Sequence, residues 1–278
     1  MAMERSLIRK SVIAGSWYPG EPTVLRNTIE DFLAAVPKQI QPKHLYGVVV
    51  PHAGYVYSGQ VAAYAYRLVR GRAYDVVIVV SPSHRQHFPS VAVYDRGGYE
   101  TPLGIIPIAE DLAAKLVKLS TVIEANRSAH LYEHALEIQL PFLQVVLGSF
   151  SLVPLMMGDQ DAQTCRELAE AIHTATKGKD VLVVGSSDLS HFHSYDRAVS
   201  LDRFFLHHMQ QMDPEGLLLD LEVGKTEACG GGPAVVALMA STAAGANRSA
   251  VLKYANSGDV TGERQRVVGY ASVALYAD

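Results

Sequence analysis

The sequence predicts an α/β fold with a mixed central β-sheet flanked by helices, and three observations carry that prediction. Short apolar runs rich in Val and Ile stand between turn signals, stretches of helical period lie between the runs, and no low-complexity linker or abrupt change of composition divides the 278 residues. The runs are residues 46–50, 76–80, 151–157, 181–184 and 267–276. Continuous apolar runs of this length suit strands covered on both faces, because successive side chains point into two buried layers.

The helical stretches follow in order. Glu21-Pro22-Thr23 opens a helix expected to reach about Val36; a proline is tolerated in the first turn because its missing N–H would be unbonded there anyway. Residues 58–70, 109–119, 133–147, 161–176, 196–211 and 233–244 supply the others. Strands alternating with helices imply helices on both faces of one sheet. With 49% hydrophobic and 19% charged residues the chain can bury a substantial core, so residues 1–278 are read as one domain.

Charge and hydropathy exclude several roles. The net charge is −4, and Lys and Arg are scattered rather than striped, which argues against a nucleic-acid partner. The longest apolar runs, such as residues 76–80, fall far short of the ~20 residues that cross a bilayer, so no membrane span is expected. Residues 1–10 lack the apolar core and small-residue cleavage site of a secretory signal, and a cytoplasmic location is the expectation. Two cysteines are too few for a disulfide framework. Cys165 sits in a stretch of helical period and reads as a small buried hydrophobe. Cys229 precedes Gly230-Gly-Gly232, which places its thiol on a loop.

Three apolar runs lead directly into polar loops that carry histidine: Val48-Val-Val-Pro-His52, Ile78-Val-Val-Ser-Pro-Ser-His84, and Val181-Leu-Val-Val-Gly-Ser-Ser-Asp188-Leu-Ser-His191. In open α/β sheets, ligands bind outside the carboxyl ends of the strands, where loops from neighbouring strands meet. If these strands are parallel neighbours, His52, His84, Asp188 and His191 share one cleft. Pro51 and Pro82 stiffen the loops, and Gly54 leaves room for close approach. Neutral imidazole is the commonest metal ligand and thiolate favours softer ions, so His52, His84 and Cys229 form a plausible ligand set. A helix starting near Pro233 is expected to lower the Cys229 thiol pKa through its N–H groups and dipole. Glu133 reads as an acidic residue at a helix start and needs no further role, and His44, His173, His207 and His208 read as surface or hydrogen-bonded residues. The His-Glu-x-x-His helix, a Cys-x-x-Cys pair, Gly-x-Gly-x-x-Gly after the first strand and a complete nucleophile elbow are all missing.

A series of motifs, in order, extends over nearly the whole chain: Gly15-Ser-Trp-Tyr-Pro19, Pro51-His-Ala-Gly-Tyr55, Gly59, Ser81-Pro-Ser-His84, Thr101-Pro-Leu103, Glu133-His-Ala-Leu-Glu-Ile-Gln-Leu-Pro141, Ser186-Ser-Asp-Leu-Ser-His191 and Cys229-Gly230. Together they resemble the Memo family, whose bacterial and archaeal members are called AmmeMemoRadiSam system protein B. The resemblance implies a fold like the class III extradiol dioxygenases (LigB-like), in which two histidines and a glutamate hold Fe(II). Carried onto this sequence it makes His52, His84 and Cys229 the metal ligands, with the cysteine standing where those enzymes have glutamate. His191 and Asp188 match acid–base positions, and Trp17, Tyr55 and Tyr57 are expected to line the substrate cleft. The implied cofactor is a divalent or redox-active metal ion, Fe(II) before copper or zinc. The implied function is a metal-dependent oxidoreductase of dioxygenase type. Loss of the glutamate keeps open a non-catalytic module binding a peptide or small anionic ligand, and zinc-assisted hydrolysis is a third option. The expected partner is a small molecule or peptide, and a homo-oligomer is compatible with the sequence.

Overall fold

The computed structural model describes residues 7–278. In chain order the elements are β1 (Ile8–Arg9), α1 (Pro22–Ala34), β2 (His44–Val50), α2 (Tyr55–Val69), β3 (Val76–Pro82), β4 (Val91–Val93), β5 (Gly98–Thr101), β6 (Gly104–Pro107), α3 (Glu110–Leu119), β7 (Ile123–Ala125), α4 (Arg127–His130), α5 (Leu140–Leu147), β8 (Leu152–Met157), α6 (Ala162–Ala175), β9 (Val181–Ser186), β10 (His191–His193), α7 (Tyr195–Gln211), α8 (Pro214–Glu222), α9 (Gly231–Ala244), β11 (Arg248–Asn256), α10 (Ser257–Thr261) and β12 (Val267–Ala277). The expected mixed α/β architecture is what folds. A nine-stranded sheet runs β10-β12-β2-β9-β3-β8-β4-β7, with β11 outside β12, and β1-β5-β6 form a small second sheet.

The centre of the large sheet is parallel: β2 pairs with β9, β9 with β3, and β3 with β8. β12 and β4 flank it antiparallel. All seven residues of β3 are buried, which explains its unbroken apolar sequence. Helices cover the sheet: α2 lies against β2, β12 and β11 and packs with α1 and α5, while α9 lies against β9, β2 and β3 and packs with α6 and α8. α1 shows why such helices form. Glu21 caps it by accepting from the Thr23 and Val24 N–H groups, Pro22 occupies the first turn, and Leu25, Ile29 and Leu33 recur every fourth residue on the buried face. Ile29→Ala, at a fully buried position, would cost about 2–5 kcal/mol.

Two expectations are corrected. Residues 133–147 do not form one helix: residues 133–136 are irregular, Glu137–Gln139 make a 3-10 turn, and α5 starts only at Leu140. Pro141 has no N–H and its ring clashes with the carbonyl four residues back, so an α-helix can begin there but not pass through. The helix expected from Pro233 begins two residues earlier, at Gly231, because glycines are tolerated in a first turn. The single-domain reading began at Met1; residues 1–6 lie outside the described residues, as does most of the segment read for a secretory signal. Among the described residues no helix is long and apolar enough to cross a membrane.

For the site, the strand order matters most. β9 lies between β2 and β3, so the loops leaving all three emerge side by side at one edge of the sheet. The Ser187 N–H donates to Val50 O at 2.9 Å, which fastens the end of β9 to the end of β2.

Candidate metal centre

His52 follows β2 by one proline, His84 follows β3 by one serine, and Cys229 lies two residues before α9. Cys229 Sγ is 3.0 Å from His52 Nε2. Donor atoms of His52, His84 and Cys229 all lie within 4.8 Å of one another. Each is held by main-chain geometry. The His52 N–H donates to Asp188 Oδ1 (2.7 Å), and the Cys229 N–H donates to Asp188 O (3.2 Å). Gly230 lets the cysteine loop reach the end of β9: a Cβ there would sit 2.1 Å from Ser186 O.

Beyond the donors, His52 Nδ1 is 3.0 Å from Ser186 Oγ, and His84 Nδ1 is 3.0 Å from Glu133 Oε1. Glu133 is fully buried and also accepts from the main-chain N–H groups of His84, His134 and Ala135. Burial alone would raise its pKa, but the hydrogen bonds from His84 and Ala135 hold it down at about 2. His84, Glu133 and His134 also approach one another closely enough to suggest a ligand group. Glu133 is already saturated by these N–H donors, so we read it as a support for His84 rather than a ligand. It is not merely the helix-start residue the sequence suggested.

Electrostatics keep His52 and Cys229 neutral. Burial pushes the His52 pKa well below its ordinary value, reinforced by the nearby His84. Burial also pushes the Cys229 thiol well above its ordinary value, with the Asp188 charge adding to the rise. This reverses the expected lowering by α9. The Gly230 and Cys229 N–H groups do lower the thiol pKa, but burial outweighs them. The loop's N–H groups are engaged elsewhere as well: those of Gly230, Gly231 and Gly232 donate to Ser187 Oγ, Ala228 O and Gln160 Oε1. A neutral thiol against a neutral imidazole is not the ion pair of a cysteine nucleophile. It is one borderline and one soft donor from which an ion must displace one proton, and the N, N, S set fits a borderline or soft transition metal.

The cluster lies beside a cleft of about 870 Å³ whose walls include Trp17, Tyr55, Tyr57, His134, Asp188 and His191. The structure therefore brings all three expected aromatic residues to one cleft with His52 and His84. Tyr55 is buried and donates its hydroxyl to Ile138 O, so it contributes ring surface only. Asp188 and His191 reach the cleft, but Asp188 Oδ1 holds the His52 main chain, and no hydrogen bond joins the Asp188 carboxylate to the His191 ring among the described residues. Burial raises the Asp188 pKa to about 7, against the lowering by the His52 and Ala53 N–H groups, and burial lowers that of His191.

His134 is the residue that sequence reasoning missed. Its ring lies between Trp17 (4.3 Å between centroids) and His84 (4.7 Å), and burial lowers its pKa to about 4. Its Nδ1 is 3.1 Å from Glu133 Oε1 but off the hydrogen-bonding direction, and it is left without a partner. The available signal was its place in the Glu133-to-Pro141 motif. Cys165, by contrast, is a core residue as expected, its thiol pushed up to about 12 by burial.

The sequence profile described as Memo-like protein matches residues 9–274. The chain belongs to the Memo family. Curated Memo relatives align along almost their full length: a MEMO1 family protein of Ignicoccus hospitalis is 39% identical over 96% of this chain and 98% of its own. One from Sulfolobus acidocaldarius is 37% identical over 96% of this chain and 99% of its own. Among solved structures, an uncharacterised protein of Escherichia coli K12 superposes with a TM-score of 0.57 at 14% identity, covering 83% of this chain and 99% of that one. At that identity the likeness concerns the fold alone. For this Memo-family chain, the His52–His84–Cys229 cluster is thus a candidate metal site on a shared scaffold.

Proposed function

We propose that this protein is a metal-dependent oxidoreductase that binds Fe(II), or copper in its place, through His52, His84 and Cys229 and acts on a small molecule held in the aromatic cleft. One observation carries the reading: three donors of metal-ligand chemistry, from three separate loops, converge within 4.8 Å beside a cleft large enough for a small organic ligand. A bound redox-active ion would supply electron transfer and polarise a coordinated oxygen or nitrogen. The chain's own residues would do the rest. Trp17 and Tyr57 offer flat apolar surface to the ligand body. Asp188, poised near neutrality, can hold or release a proton, and neutral His191 can accept one. The cytoplasm is part of this reading, because a reducing compartment keeps a ligand thiol from oxidation.

Anaerobic loading with Fe(II), desalting and metal analysis tests the proposal. Wild type is expected to retain close to one ion per chain and His52→Ala/Cys229→Ser none; equal retention defeats it. The predominantly apolar cleft favours a second reading, a module that binds a peptide or small ligand without turnover. Trp17, the single tryptophan, touches the His134 ring, which in turn stacks on His84, so its fluorescence is expected to report both ligand and ion. Ligand binding unchanged by chelation, with no oxygen uptake, would select the second reading.

A further inference from the structure

We propose that Glu133, Gln139 and Ser186 are positioning residues that fix both His52 and His84 as Nδ1–H tautomers, so that each ring presents its Nε2 lone pair to the ion. The inference rests on the metal reading of His52, His84 and Cys229, and deepens it by naming what aims the ligands.

For His52 the committed protons of its neighbours decide the tautomer. Gln139 Nε2 lies 2.9 Å from Pro51 O, which can only accept, so the amide nitrogen must face that way. With the amide so oriented, the Tyr66 hydroxyl 2.9 Å away donates to Gln139 Oε1. The same Nε2 then donates to Ser186 Oγ at 2.8 Å. Ser186 has one hydroxyl proton, and at 2.6 Å from Ala135 O that proton is committed to the carbonyl. Towards His52 Nδ1, 3.0 Å away, Ser186 Oγ can therefore only accept. Nδ1 carries the proton, and Nε2 is the bare nitrogen that faces Cys229 Sγ. Ser186 and Gln139 are both buried, so no bulk water offers an alternative partner.

For His84 the acceptor is a carboxylate. Glu133 Oε1 takes the main-chain N–H groups of His134 and Ala135, and Oε2 takes that of His84. Main-chain N–H groups cannot reverse their role, so the carboxylate is an acceptor throughout and His84 Nδ1, at 3.0 Å, must donate to it. Its Nε2 is left for the ion.

Glu133, which holds His84, and the Ala135 carbonyl and Gln139 amide that orient Ser186 behind His52 all come from residues 133–139, and the middle of that stretch is anchored. Glu137 is fully buried, paired with Arg9, and accepts from Ser11 Oγ (2.6 Å) and the Tyr18 hydroxyl (2.7 Å). The irregular backbone before α5 is thus a bracket that serves two ligands at once. Such outer partners of ligating histidines typically change metal affinity about 10–100-fold when removed.

The test uses the full-length chain. Long-range 1H–15N correlation spectra of metal-free wild type, labelled at histidine, report which ring nitrogen carries the proton. Both His52 and His84 are expected as Nδ1–H; an Nε2–H signal from either ring overturns the assignment. Zn(II) affinity is then measured against a chromophoric chelator for wild type, Ser186→Ala, Glu133→Gln and His52→Ala. The expected result is about 10–100-fold weaker binding at unchanged stoichiometry for Ser186→Ala and Glu133→Gln, and loss of binding for His52→Ala. A purely structural role would lower the melting temperature without moving the tautomer signal or the affinity, and that outcome overturns the proposal. If wild type binds Zn(II) no better than His52→Ala, the metal reading fails, while the spectrum of unaltered protein still decides the tautomers.

Discussion

The candidate centre joins two kinds of scaffold. His52 and His84 leave the ends of β2 and β3, and the backbone beside them is locked by the parallel ladder with β9. Cys229 arrives on a loop with no ladder, held through the Cys229 N–H on Asp188 O, the Gly230 N–H on Ser187 Oγ, and Gln160 Nε2 on Cys229 O. A strand end cannot shift without breaking the sheet; a loop can. Changes on the strand side should therefore register in the stability of the whole fold, and changes on the loop side mainly in affinity for the ion.

Asp188 offers the largest effect and lies on the strand side, just past β9. Burial raises its pKa from 3.8 to about 7. The unfolded chain loses this proton at lower pH than the folded one, so the group costs nothing below about pH 4. As pH rises from about 4 to about 7 the fold loses stability, up to about 4 kcal/mol by linkage for a shift of this size. Asp188→Asn removes the charge. Its melting temperature relative to wild type should rise between acid and mildly alkaline pH, measured by calorimetry of metal-free protein. A difference independent of pH would show that Asp188 is not held near neutrality.

Gly230→Ala addresses the loop. The added Cβ would lie 2.1 Å from Ser186 O and 2.8 Å from Ser187 Cβ, so something must move. With no ladder to hold it, the loop yields and carries Cys229 away from His52. Metal affinity should fall by about a hundredfold, at the upper end of effects from misplaced ligands, with a loss of about 1 kcal/mol or so in stability, the low end for overpacking. Unchanged affinity with a collapsed melting temperature would invert the comparison.

The same contrast explains what could be read in advance. Strand-end histidines were legible because β2, β3 and β9 advertise themselves as apolar runs and parallel strands present their loops at one edge. Cys229 was legible as a loop thiol from its glycines, but its ionisation was not. That depends on how deeply the folded loop buries the thiol and on the charge of Asp188, which is remote in sequence. Glu133 and His134 were misjudged for a similar reason. An acidic residue before an apolar stretch resembles a helix start, and only the tertiary contact with His84 reveals its use. Short strands such as β4 and β7 carry too few residues for a period to show.

The smallest expected effect discriminates most finely between the two scaffolds. An ion entering the centre must displace protons from its ligands. His52 is held neutral by burial and gives up none in the neutral range, whereas Cys229 is held as a thiol and must lose one. The proton competes with the metal, so affinity rises with pH for as long as the free thiol stays protonated. Above about pH 7, where an ordinary imidazole is already neutral, the slope should be one proton per ion, a tenfold gain in affinity per pH unit, or about 1.4 kcal/mol. Zn(II) competition titrations between mildly alkaline values measure it directly. Cys229→Ser should flatten the slope as well as weaken binding, since a serine hydroxyl does not ionise in this range. A slope near zero in wild type would mean that the thiol is already ionised, and then the N–H groups of Gly230 and Cys229 outweigh the burial that holds Cys229 as a thiol.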